Sequence, residues 1–442
     1  MAVSPFDSAI YRDLFHDAEV GKLFTDTAEV RAMLLVEGAL AKAQGALGLI
    51  PEVSARAIHR ASLELQVDPG GLARETGQSA VPVPSLVKAF RTAMQAPEHS
   101  QYAHFGATSQ DIMETAQVLR LRQVLAICEE RLTTLIKALG TLAEAHADLP
   151  MAGRTYGQVA SPVSFGQMVA SWGQPLLRHR DRMRELRERV LCVSLSGAAG
   201  TLSAMGDKGP EVRAQLAEAL GLADPGASWH SERDRVAELS SLATMITGSL
   251  GKMGEDLTLL VQSGFNEVRL AQGGGSSTMP QKSNPVLPSI LVALARHVAG
   301  LNGVIQGATV HRQQRDGAAW FAEWLALPQI CMGLARALSA ANELAPGIAP
   351  QPDRMAAAID DGTGLIYAEA LSFALARRMP RPEAQAAVKA LCQEVQKTGT
   401  PLADLAARDW PDADFGALFT PAAQLGTAPA EARAFAQAAM AL

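Results

Sequence analysis

The chain has 442 residues, 48% of them hydrophobic, 19% charged and 5% aromatic. That length allows two or three domains, and the apolar fraction is ample for a large core. A net charge of −6 and a pI near 5.9 argue against a general nucleic-acid or membrane-surface binder. The four cysteines, Cys128, Cys192, Cys331 and Cys392, form no C-x-x-C pair. Neither a zinc site nor a disulfide framework is suggested, and a reduced, cytoplasmic setting is expected. The opening Met1-Ala-Val-Ser-Pro-Phe-Asp7 carries no signal-peptide pattern, and no apolar run is expected to span a bilayer.

The first hundred residues read as short helices. Residues 28–47 place Val30, Met33, Leu34, Val36, Leu40 and Leu47 mostly at helical spacing. Pro51 and Gly70-Gly71 end segments, and Val81-Pro-Val-Pro84 restarts a helix at Ser85. The middle differs. Val118, Leu121, Leu125, Cys128, Leu132, Leu135, Leu139 and Leu142 form an unbroken heptad seam. A helix there of roughly 35 residues would be about 50 Å long. A second seam runs through Val236, Leu239, Ala243, Ile246, Leu250, Met253, Leu257 and Leu260. Further long helices are predicted over 165–189, 285–310 and 318–344. Helices this long bury their seams only against one another, so an all-α fold with a central long-helix bundle is expected, extended across subunits. Prolines and a glycine between Glu343 and Arg354 mark a boundary. The expected domains are 1–107, 108–346 and 347–442, all helical, with no alternation strong enough to predict a sheet.

Polar stretches interrupt the helices. His104-Phe-Gly-Ala-Thr-Ser-Gln-Asp111 precedes the first seam, where Thr108 or Ser109 can cap the helix and its N-terminus favours an anion. Gly153-Arg-Thr-Tyr-Gly-Gln158 brings Arg154, Thr155 and Gln158 together, and Trp229-His230 opens the second seam. Ser196-Gly-Ala-Ala-Gly-Thr201 lacks a P-loop ending, so a nucleotide cradle is rejected. Gly273-Gly-Gly-Ser-Ser-Thr-Met-Pro-Gln-Lys-Ser-Asn-Pro285 combines flexible backbone, the hydroxyls of Ser276 and Ser277, the cation Lys282 and the amide Asn284. Farther on, Arg312 and Arg315 are candidates to bind carboxylates. No His/Cys cluster and no G-x-S-x-G elbow is present, so no metal or cofactor is expected. Hydroxyls, amides and cations suit proton abstraction next to a carboxylate.

In this order the segments resemble the fumarase/aspartase superfamily, most specifically through Gly275-Ser-Ser-Thr-Met-Pro-Gln-Lys-Ser-Asn-Pro285. The resemblance implies three helical domains and a homotetramer whose active sites are shared between subunits. It makes Ser277 the proton-transferring residue, with Ser276 and Met279 beside it in the signature. It gives Lys282 a catalytic position holding substrate carboxylate together with Asn284. Thr108, Ser109 and Gln110 fall in a second substrate-binding segment, Thr155 and Gln158 in a third. Arg154 and Arg315 are candidates for the remaining carboxylates, His104 and His230 are further site residues, and Tyr156 is a candidate pocket wall.

Two departures carry information. Many members have Thr-His where this chain has Thr155-Tyr156, and a glutamate after the signature where it has Ser289. Both halves of that acid pair are missing. Expulsion of an amine or hydroxide benefits from a general acid. A carboxylate leaves as a stable anion without one. The expected chemistry is therefore that of the superfamily's cycloisomerase branch: addition of a substrate carboxylate to an alkene, with proton transfer α to a carboxylate. The substrate would be a small di- or tricarboxylate, with no nucleic acid or membrane partner. The alternatives are adenylosuccinate-lyase-like or argininosuccinate-lyase-like β-elimination, and a non-catalytic oligomer on the same scaffold.

Overall fold

The computed structural model describes residues 4–275, 278–359 and 361–442; Ser276 and Ser277 lie outside them. Five long helices dominate: α1 (Ser109–Ala145), α2 (Phe165–Val190), α3 (Asp234–Leu260), α4 (Val286–Gly307) and α5 (Gly317–Leu344). Their bounds follow the expected segments closely. Of the first seam, all but Leu142 are buried, and every residue of the second seam is buried. Strict 3,4 spacing keeps one face of each helix apolar along its whole length.

The chain divides into two compact units. One comprises Met1–Arg131, His179–Gly248 and Ala293–Ser339; the other comprises Leu132–Arg178, Ser249–Val292 and Ala340–Leu442. The division falls inside each long helix, not at the expected domain limits. In the first unit, helices Asp26–Ala46 and Glu52–Glu64 carry Val36, Leu40 and Ile58 into a core shared with Leu86, Phe90 and Ile112. In the second, helices Arg381–Thr398 and Leu402–Asp409 bury Leu391, Leu402 and Leu405 against Leu371 and Leu375.

Two small sheets correct the expectation of helices and loops alone. Strands β1 (Pro150–Thr155) and β2 (Gln158–Ser164) form an antiparallel hairpin. Its turn residues, Tyr156 and Gly157, have φ of 51° and 75°, the left-handed pair that a two-residue hairpin turn needs. A tyrosine there is a weak turn signal, which hides the hairpin in the sequence. Strands β3 (Val268–Leu270) and β4 (Ile348–Pro350) pair across the boundary segment.

A second correction concerns α4. At 22 residues it is apolar and long enough, by length and composition alone, to cross a membrane, against the expectation that no apolar run would be. The same test is passed by core helices of soluble proteins. Only 33% of its apolar window is buried within this chain, so much of its face is left for another surface.

Candidate active site

In the first unit the start of α1 is the organising point. Asp111, fully buried, accepts backbone N–H bonds from Thr108 (2.9 Å), Ser196 (2.8 Å) and Gly197 (3.0 Å). The bond to Thr108 is one half of a capping box. His230, also buried, brings Nε2 to 2.8 Å from the same carboxylate. Gln110 donates to Glu114 (2.8 Å) and to the His230 carbonyl (3.0 Å), which fixes its amide orientation. Its oxygen then accepts from Arg315 Nε at 2.7 Å. Arg315 Nη2 donates to Thr108 Oγ1 (3.2 Å) and the Ala198 carbonyl (3.3 Å). Its Nη1 has no partner among the described residues, so an exposed guanidinium edge stands at a helix N-terminus, an arrangement suited to a carboxylate.

Beneath this cluster lies a buried ionic network that the sequence does not announce. Arg233 is forked on Glu323 (2.8 and 2.6 Å) and also reaches Glu114 at 2.7 Å, all three nearly inaccessible to solvent. Arg233 also lies over the Trp229 ring, 5.1 Å from its centroid. Two carboxylates against one guanidinium leave excess negative charge. Burial pushes the Glu114 carboxyl up, against the opposing pull of Arg233. His311, whose side chain is inaccessible, has no hydrogen-bond partner at either ring nitrogen and lies 3.9 Å from Glu323. Burial, then the Arg233 charge, holds its pKa below the ordinary histidine value.

His104 belongs to the same unit. Its backbone takes φ 63°, and its Nδ1 lies 2.7 Å from the buried Glu37 carboxylate. Burial opposes its charge, but Glu37 prevails and the pKa is raised. The pair's stabilisation is therefore fully present below the unfolded histidine value of about 6.5 and is lost as pH rises through the higher folded value. Between pH 6 and 9 the protein should lose about 1 kcal/mol from this pair. Glu37→Gln should flatten that dependence; urea denaturation across the range checks it, and an unchanged slope would contradict it.

In the second unit, Arg154 is bidentate on Glu267 (2.7 and 3.1 Å), a carboxylate 1% exposed, and stacks over Phe265. Its charge is thus matched inside the protein, unlike the free guanidinium edge expected of a substrate ligand. Thr155 and Gln158 pair across the hairpin beside Tyr156, whose side chain is fully exposed at the tip. Around the signature, Gly274 and Asn284 form an antiparallel bridge, with N–H···O bonds of 2.9 and 2.8 Å. This bridge anchors Lys282 and Asn284 on the wall of a cleft of about 650 Å³. Met279 is exposed, and its carbonyl accepts the Lys282 N–H at 3.0 Å. Ser289, where relatives of the superfamily carry an acid, donates to the Pro285 carbonyl at 2.8 Å.

The structure thus joins Thr108, Gln110, His230 and Arg315 in one hydrogen-bonded cluster, with Ser109 on the first turn of α1, and sets Lys282 and Asn284 together in a cleft. Ser276 and Ser277 lie outside the described residues. Asp111, Glu114, Arg233, Glu323 and Glu267 were missed because single charges on amphipathic helices or at strand ends read as solvated. A Trp-His-x-x-Arg spacing before a seam was the available signal for Arg233. Among the described residues no group of His, Cys, Asp or Glu could hold a metal ion.

Comparison with known proteins then gives four findings. A family model described as Lyase matches residues 17–300. The 3-carboxy-cis,cis-muconate cycloisomerase of Pseudomonas aeruginosa is 41% identical over 387 residues, covering 86% of this chain and 84% of the relative. The N-acetyl-S-(2-succino)cysteine lyase of Enterococcus italicus is 32% identical, with 86% and 83% covered. Among solved structures, the 3-carboxy-cis,cis-muconate lactonizing enzyme from Pseudomonas putida superposes with a TM-score of 0.91 at 34% identity, covering 98% of this chain and 99% of the other.

Proposed function

The chain belongs to this lyase family, within the fumarase/aspartase superfamily, and from that premise we propose that it converts 3-carboxy-cis,cis-muconate to 4-carboxymuconolactone. The observation that carries the reading is the 41% identity to a cycloisomerase across most of both chains. The site chemistry agrees with it. In the lactonising direction a substrate carboxylate oxygen adds to an alkene carbon. The electron pair of the double bond moves to the carbon α to another carboxylate, and Ser277 delivers the proton there. In reverse, the leaving group is a carboxylate, whose pKa of ~4 makes a general acid dispensable. Tyr156 and Ser289 stand where that acid pair would be.

Lys282, Asn284, Thr108, Ser109, Gln110 and Arg315 hold the substrate's carboxylates in this proposal, with Thr155 and Gln158 from the hairpin, and His104, His230, Ser276 and Met279 as further substrate-binding residues. Arg154 acts through Glu267 rather than on substrate. The enzyme works as a homotetramer with shared sites, in the cytoplasm, in the degradation of aromatic compounds. The largely unburied apolar window of α4 supports the oligomer. The expected division at 107/108 and 346/347 stands as part of the same proposal.

The test is a direct assay. Ultraviolet absorbance should show loss of the conjugated diene when 3-carboxy-cis,cis-muconate is added. No turnover, with β-elimination from N-acetyl-S-(2-succino)cysteine or adenylosuccinate instead, would replace this reading with the lyase one.

A further inference from the structure

The cleft that holds Lys282 contains two cations that no sequence motif singles out. Arg269 lies in β3, and Arg354 lies four residues beyond β4. Their placement is set by one patch of backbone hydrogen bonds. Strand β3 pairs with β4, Ala271 N–H donates to the Gly347 carbonyl at 2.9 Å, and Gln351 N–H donates to the Glu267 carbonyl at 2.8 Å. The Gly274–Asn284 bridge adds the segment carrying Lys282 to the same frame. Three cations from three separate segments thus line one cleft.

Among the described residues their charge is uncompensated. No aspartate or glutamate is among the described residues lining the cleft. Glu267, next to β3, is spent on Arg154. Neither Arg269, Lys282 nor Arg354 has a side-chain hydrogen bond or ion pair among the described residues. The other lining groups are mainly amides and hydroxyls, including Gln262, Gln281 and Gln351. Like charges facing one cleft repel unless an anion bridges them.

We infer that Arg269 and Arg354 are specificity residues that hold a carboxylate of the substrate beyond the one assigned to Lys282. This rests on the polycarboxylate reading above. It makes the cleft select for the number of carboxylates, because a ligand with one fewer leaves a cation pair unmatched.

The test compares the full-length protein with Arg269→Ala, Arg354→Ala and the control Lys389→Ala, an exposed cation on the helix Arg381–Thr398. Calorimetry with tricarballylate and glutarate, unreactive tri- and dicarboxylates, should show the wild type and the control preferring the tricarboxylate. Each arginine variant should bind tricarballylate about tenfold more weakly, as expected for one lost charge-assisted contact, and lose the preference. In turnover of 3-carboxy-cis,cis-muconate, KM should rise about tenfold with kcat within about twofold. Arginine variants that match the control, or a wild type that does not bind tricarballylate, would overturn the inference. A wild type that binds tricarballylate with the predicted preference but does not turn over the muconate would overturn the substrate reading and leave the cleft assignment standing.

Discussion

Ser277→Ala is expected to lower kcat by about a thousandfold while leaving the proposed oligomer intact. Proton transfer by a positioned side chain contributes roughly 10²–10⁴-fold to rate. Tyr156 and Ser289, at the positions of the missing His–Glu pair, are a phenol and an alcohol poorly matched to proton transfer at neutral pH, so neither should replace the lost hydroxyl. KM should change little, because the proposed site binds carboxylate through Lys282, Asn284 and the cations. Ser276→Ala is the comparison, and its effect should be far smaller. The assay is diene loss at saturating substrate, with size-exclusion chromatography on the same samples. Near-normal turnover in Ser277→Ala would remove this residue from its role.

The second large effect concerns stability. Arg233→Met should lower the unfolding free energy by about 3–5 kcal/mol, the usual result of removing one partner from a buried ion pair. Glu114 and Glu323 would be left buried without their cation. Their carboxyls would rise above the unfolded value of about 4.3, so the folded state would bind more protons than the unfolded state. Stability would then fall as pH rises, and the variant should be least stable near pH 8 and recover toward pH 5. Urea denaturation at the two pH values checks this. A loss independent of pH would mean that packing against Trp229, not charge, explains it. The triple variant Arg233→Met, Glu114→Gln, Glu323→Gln should recover part of the loss, since it leaves no unpaired charge.

Much of the architecture is legible in the residues because it is periodic. Seams with strict 3,4 spacing place the long helices within a few residues, and polar stretches between them mark where chemistry sits. The hairpin escapes because Tyr156-Gly157 is a poor turn dipeptide until its left-handed φ values are seen. The signature names Lys282 and Asn284 but cannot tell that Arg154 is already paired, since Glu267 lies 113 residues away. Arg269 and Arg354 are equally hidden. Their convergence depends on a three-residue strand pairing that no local pattern encodes. What remains illegible is therefore long-range charge matching, which leaves no periodic trace.

Asp111 has a consequence for the order of events in folding. Its carboxylate ties the start of α1 to residues 85 and 119 positions away, at Ser196 and His230. Such closures cost chain entropy that grows with the logarithm of loop length, and only the assembled contacts return it. The helix itself can form early from local contacts, whereas this junction must await the docking of two distant segments. The end of α1 proposed to hold substrate is then among the late parts to consolidate. By the same reasoning it opens before the seams do, at a cost below that of global unfolding.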